Sequence, residues 1–165
     1  MISVGVLTIS DKGSRGERED RSGPVIRAIM ERVGARIAAA AIVPDEVESI
    51  AGKLQEWADG GGMDLILTTG GTGLARRDVT PEATLSVIDR AVPGIAEAMR
   101  ALSLRKTPMA MLSRAVAGLR GDCLIVNLPG SPRAVTECLE AVLPALPHAV
   151  AIARGEVTEH TAGTP

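Results

Sequence analysis

Asp64-Leu-Ile-Leu-Thr-Thr-Gly-Gly-Thr-Gly-Leu-Ala-Arg-Arg-Asp-Val-Thr-Pro-Glu-Ala83 is the stretch on which the reading of this chain turns. Its apolar start reads as a buried strand that stops abruptly at Gly70, Gly71, Thr72 and Gly73. A carboxylate, Asp78, follows five residues later, and Thr80-Pro81 is a strong helix start. Glycines at such a corner let backbone N–H groups approach an anion closely, as in loops that cradle phosphate ahead of a helix. A carboxylate beside bound phosphates suits a divalent metal. The loop is not a Walker loop, since no Gly-Lys-Ser/Thr follows, and it lacks the G-x-G-x-x-G spacing of a dinucleotide site. A tight strand-to-loop corner with no ligand accounts for the glycines equally well.

Outward from this stretch, the patterns alternate β-α-β-α-β-α. That order predicts an α/β fold: one domain, with a three-layer, mostly parallel sheet carrying helices on both faces. Ile2–Ser10 reads as the first strand and Asp11–Arg21 as a polar loop. A helix opens at Ser22-Gly23-Pro24, with Val25, Ile26, Ile29, Met30 and Val33 at helical spacing, and Gly34 ends it. Ala35–Val43 is the second strand. Asp45 starts a second helix that ends at Gly60, and Met63–Thr69 is the third strand. Helices are expected from Pro81 to about Arg90 and from about Gly94 to Lys106. Met109–Gly118 and Cys123–Leu128 read as neighbouring strands joined through Leu119–Asp122. A last helix runs from Pro132 toward Arg154, bent or broken at Pro144 and Pro147. The domain is placed at 1–155, with a polar tail at 156–165. In open α/β sheets ligands bind at the carboxyl ends of the strands. Ser10, Asp11, Asp45, the Gly70–Asp78 loop, Asn127, Pro129 and Gly130 should therefore meet at one sheet edge.

Composition narrows the function. The chain has 165 residues and a net charge of −2, with no footprint for nucleic acid. Trp57 is the only aromatic residue, which argues against single-strand binding by base stacking. No apolar run reaches the ~20 residues that span a bilayer, and the first residues read as a strand and not a leader. Cys123 and Cys138 read as small core residues, consistent with a cytoplasmic setting. The two histidines, His148 and His160, do not suit a Ser-His-Asp triad or a zinc site. What remains is chemistry by carboxylates, a bound metal and backbone dipoles, which suits phosphoryl or nucleotidyl transfer. Asp45 also has the residue pattern of a helix cap, with Glu48 three positions on. Arg76 and Arg77 either neutralise phosphate or are solvated. The charged run Glu17–Arg21 reads as a surface loop.

Thr68–Ala83 resembles the signature of the molybdenum-cofactor biosynthesis domain family. The likeness extends through Thr8–Asp11, Asp20–Pro24, Ile42–Glu46, Ala110–Arg114 with Ala117-Gly118, and Asn127–Pro132. Within the family the chain looks like the Mog-type molybdopterin adenylyltransferases and the G domains of gephyrin-like proteins. The resemblance implies a homotrimer that moves AMP from Mg-ATP to the terminal phosphate of molybdopterin and releases pyrophosphate. It also implies that Asp45 and Asp78 match catalytic acidic positions that could hold Mg²⁺. Gly70, Gly71, Thr72 and Gly73 match the phosphate loop; Ser10, Asp11, Ser113, Asn127, Pro129, Gly130 and Pro132 match positions near nucleotide or pterin. A molybdate-insertase partner is compatible with it; nucleic-acid and membrane partners are not expected. The MoaB-like branch is the alternative, a molybdopterin-binding or delivery protein without AMP transfer. Pro81 and Pro132 favour the Mog-type side. An insertase would need a larger multidomain setting.

Overall fold

A computed structural model describes residues 1–157. Most of the expected polar tail, His160 included, lies outside the described residues.

The strands are β1 (Ser3–Ile9), β2 (Arg36–Val43), β3 (Leu65–Thr69), β4 (Arg90–Ala91), β5 (Ala117–Arg120) and β6 (Cys123–Leu128). They form one sheet in the order β2-β1-β3-β6-β5-β4. β2, β1, β3 and β6 are parallel, whereas β5 runs antiparallel to β6 and β4 to β5. A strand between parallel neighbours is covered on both faces, so it reads as a continuous apolar run. In β3, Leu65 and Leu67 pack into one core and Ile66 into the other, all fully buried. The first core takes side chains from α2 (Ser22–Arg32), α5 (Pro93–Leu104), α6 (Pro132–Val142) and α7 (Leu146–Ala153). The second takes them from α3 (Val47–Asp59) and α4 (Thr80–Val87). The three layers expected from the sequence are present.

From β1 the chain crosses to β2 on one side, and β3 lies on the other. The strand order therefore reverses between β1 and β3, where open α/β sheets bind ligands. Both carboxyl ends point the same way, bringing Ser10 and Gly70 together.

Several expected elements differ. A short helix, α1 (Asp11–Ser14), replaces the start of the polar loop, with the Ser10 hydroxyl accepting from the Gly13 N–H. Met109–Gly118 is mostly not a strand. Thr107 caps a 3-10 helix over Pro108–Leu112, and a proline there lacks the ladder N–H. The hairpin turn consequently lies at Gly121-Asp122, with Gly121 at φ +53. The helix expected to reach Arg90 ends at Val87, because Arg90–Ala91 pairs with β5. The last helix does break at Pro144, giving a 3-10 turn over Leu143–Ala145. By length and mean hydropathy the segment Pro132–Ala153 reaches the range of a bilayer span, although Arg133, Glu137 and Glu140 interrupt any continuous apolar run. In the fold, its Val135, Leu139, Val142, Leu146 and Val150 pack into the first core.

Candidate active site

A cavity of about 720 Å³ opens at the β1/β3 switch point. Ser10, Asp45, Gly70, Gly71 and Asp78 line one part of it, and Gly130 and Pro132 another. Gly70 has φ +97 and Gly71 φ +69, so the chain reverses through conformations only glycine adopts readily. Thr80 fixes the reversal: its hydroxyl donates to the Gly70 carbonyl at 2.9 Å and its N–H to the Gly71 carbonyl at 3.1 Å. The Thr69 hydroxyl donates to the Pro129 carbonyl and the Ser22 hydroxyl to the Gly130 carbonyl. Loop carbonyls are thus tied back. The amides of Gly71, Thr72 and Gly73 donate to no protein acceptor among the described residues.

Asp45 does not cap a helix. α3 starts two residues later, with Glu46 at its N-cap position and no side-chain capping bond. Instead Asp45 and Asp11 exchange bonds: the Asp11 N–H donates to Asp45 Oδ2 at 2.8 Å, and the Asp45 N–H donates to Asp11 Oδ1 at 3.0 Å. Arg77 braces Asp11 with a two-pronged contact, Nε to Oδ2 at 2.9 Å and Nη2 to Oδ1 at 2.7 Å. Asp11 does not itself line the cavity; it ties the end of β1 to the glycine loop through Arg77 and to Asp45, which does. The Arg77 guanidinium holds the Asp11 carboxyl below its ordinary range. Burial pushes the Asp45 carboxyl up, helped by the neighbouring charges of Asp11 and Asp78.

That shift carries a prediction. Because the folded state raises the Asp45 pKa above its unfolded value, ionised Asp45 opposes folding as pH rises through the carboxylate range. Asn at this position keeps an acceptor for the Asp11 N–H and removes the charge. Asp45→Asn is expected to melt at an equal or higher temperature than the parent at pH 7, with the gain fading in acid. Thermal melts at the two pH values check it; clear destabilisation at pH 7 would count against this electrostatic picture.

Asp78 Oδ2 accepts from the Ala75 N–H at 3.0 Å. Asp45 Oδ1 and Asp78 Oδ1 have no hydrogen-bond partner among the described residues. Each carboxylate therefore keeps one oxygen free of protein partners among the described residues. The cavity is also lined by Glu19 and Asp20, against only Arg18 and Arg21 as cations. Four carboxylates facing two guanidiniums would repel a polyphosphate unless a cation accompanied it.

The other expected residues divide. Thr72, Gly73, Ser113 and Pro129 line a second, more apolar cavity of about 310 Å³ on the other side of the glycine loop. Asn127 reaches neither cavity. It is fully buried, with its amide donating to the Thr68 and Thr84 hydroxyls and its carbonyl accepting from the Val116 N–H. Its side chain fixes β6 against β3 and α4 from behind the site. Both cysteines are free and buried; burial pushes the Cys123 thiol up to about 12.

Sequence reasoning missed Asp20, which accepts from the Thr8 hydroxyl at 2.8 Å and the Gly23 N–H at 2.9 Å and so anchors α2 at the cavity wall. The surrounding charge run concealed it. Arg114 was missed as well: it lies 41 residues from the carbonyl it binds, a distance no local spacing reveals.

Residues 5–148 match the family model described as "Probable molybdopterin binding domain". The chain belongs to that family. A relative named molybdopterin adenylyltransferase, from Helicobacter pylori, is 45% identical over 156 residues, covering 93% of this chain and 89% of that protein. Gephyrin of Dictyostelium discoideum is 46% identical over 159 residues, with 90% of this chain covered but 22% of that larger protein. Among solved structures, the molybdopterin biosynthesis enzyme MoaB from Thermus thermophilus superposes with a TM-score of 0.88 at 58% identity, covering 94% of this chain and 98% of that one. As a member of the molybdopterin-binding family, the chain has its ligand expected at the carboxyl edge of the sheet, where both cavities lie.

Proposed function

We propose that the chain is a molybdopterin adenylyltransferase. A terminal phosphate oxygen of molybdopterin attacks the α-phosphorus of ATP, the bond from that phosphorus to the bridging oxygen breaks, and pyrophosphate leaves with the electron pair. The observation that carries this reading is the glycine loop with unpaired amides, flanked by Asp45 and Asp78 at the switch point. Support comes from the names of relatives such as that of Helicobacter pylori. The nucleophile is a phosphate monoester already ionised near neutral pH, so no histidine base is required. The barrier is the approach of two anions, which inward-facing amides lower.

Magnesium fits this donor set. Mg²⁺ takes one or two carboxylates and completes its shell with water and substrate phosphate, so a cage of three protein ligands is not needed. No such cluster of three exists among the described residues. Asp78 would hold Mg²⁺ near the α-phosphate, and Asp45 would position the metal or the pterin phosphate; the metal supplies charge neutralisation. The two cavities on either side of the glycine loop suit two substrates, the charged one a nucleotide polyphosphate and the more apolar one the pterin. With neither Phe nor Tyr in the chain, ring contacts fall to aliphatic side chains and backbone. We also propose that the chain works as a homotrimer; exposed Leu104, Met109, Met111 and Leu112 supply an apolar surface for contact between copies, and sedimentation of the purified protein reads its mass directly.

A specific test is metal removal. Pyrophosphate release with molybdopterin and ATP should fall to background in excess EDTA and return on adding Mg²⁺, while pterin binding survives. Full turnover without a divalent cation would reject the metal assignment. A second reading is molybdopterin binding without transfer, in line with the family's description as a molybdopterin binding domain. It predicts pterin binding with no ATP-dependent product.

A further inference from the structure

The segment between Gly73 and Asp78 is held less by its own backbone than by one distant side chain. Leu74, Ala75, Arg76 and Arg77 are exposed, and the internal bonds are the Asp78 N–H to the Ala75 carbonyl and the Ala75 N–H to Asp78 Oδ2, each 3.0 Å. Arg114, between the 3-10 helix and β5, spans both ends of this turn. Its Nε donates to the Gly73 carbonyl at 2.7 Å and its Nη2 to the Asp78 carbonyl at 2.5 Å. Its own N–H donates to the Thr72 carbonyl at 2.9 Å. Glu82, in the first turn of α4, pairs with Nη1 and holds the fork in place. Arg100 of α5 in turn donates to the Ser113 and Ala115 carbonyls on either side of Arg114. Arg114 lines neither cavity, so it reaches a substrate only through the loop.

We propose that Arg114 is the positioning residue for the transfer site. By binding the carbonyls of Gly73 and Asp78 it fixes the peptide planes at both ends of the turn, and with them the direction of the Asp78 carboxylate and of the adjoining amides. The guanidinium thus holds two carbonyl dipoles on the Arg114 side of the loop, and the Arg114 N–H holds that of Thr72. The planar guanidinium serves two carbonyls and a carboxylate at once; an ammonium, being a single compact charge, cannot reproduce that fork. The Arg114 side chain is 34% exposed and that of Glu82 is 50% exposed. Ion pairs so exposed contribute little to global stability, so the effect of Arg114 is local and falls on the loop.

The inference rests on the reading that Asp78 belongs to the transfer site, and a double-mutant cycle separates the two. Arg114→Lys is expected to lower kcat by about tenfold or more with a much smaller change in the KM for ATP, and with a melting temperature close to the parent. Residues that act through one another do not add, so Arg114→Lys combined with Asp78→Asn should turn over no slower than Asp78→Asn alone. Glu82→Gln loosens the same fork without touching the loop and should give a smaller loss of kcat. Parental kcat in both Arg114→Lys and Glu82→Gln would overturn the role of Arg114, as would losses that multiply in the double variant. Parental turnover in Asp78→Asn would overturn the site reading itself, and the positioning role with it.

Discussion

Asp78→Asn is expected to reduce adenylyl transfer by about 100-fold or more while leaving the fold intact, a loss of the size seen when a group acting on transition-state charge is removed. Asn retains an acceptor for the Ala75 N–H, which Asp78 Oδ2 binds at 3.0 Å, so the loop keeps its turn. What disappears is the negative charge with which Asp78 would hold a cation that neutralises phosphate in the proposed transfer. The effect should fall on kcat, and molybdopterin binding should persist. Steady-state pyrophosphate release beside a thermal melt reads both quantities. A folded Asp78→Asn protein with near-parental turnover would falsify the assignment of Asp78.

Gly70→Ala is expected to disable the site and to lower stability together. Gly70 sits at φ +97, and a β-carbon there would lie 2.4 Å from the Ile9 carbonyl oxygen. The obstacle is backbone of the neighbouring strand, which cannot swing aside as a side chain could. Strain in a left-handed conformation and overpacking each cost about 1–3 kcal/mol, so a total near 3 kcal/mol is expected. For a chain of this size that corresponds to a fall in Tm of roughly 10 °C. Activity should fall further than stability, because opening β1 from β3 displaces Ser10 and the loop amides together. An unshifted Tm would mean that the two strand ends are less closely joined than the structure has them.

The strands around the site were legible because their residues carry the signal themselves. Leu65–Leu67 is apolar without alternation, as a strand buried on both faces requires, and glycines mark where it stops. The parallel order followed from helices interposed between strands, so the convergence of Ser10, Asp45 and Gly70 at one edge was expected and found. Other features depend on tertiary contact. The sequence around Asp45 suits a cap, but Pro44 and the exchange with Asp11 start the helix at Val47 instead. Met109–Leu112 looks like strand because it is apolar, yet Met109 and Met111 remain exposed beside the second cavity. Asn127 looks like a ligand group at a strand end, yet Thr68, Thr84 and Val116 take up its polar side chain inside the core. Arg114 and the glycine loop lie 41 residues apart and are brought together by β6, which pairs with β3 on one side and β5 on the other.

The most direct measurement is incubation of the purified chain with molybdopterin, ATP and Mg²⁺, assayed for both pyrophosphate and adenylylated pterin. The proposed transferase forms the two products in equal amounts, in a reaction that Asp78→Asn suppresses. Tight pterin binding with neither product would contradict it and would make the chain a molybdopterin-binding protein whose aspartates serve the loop alone.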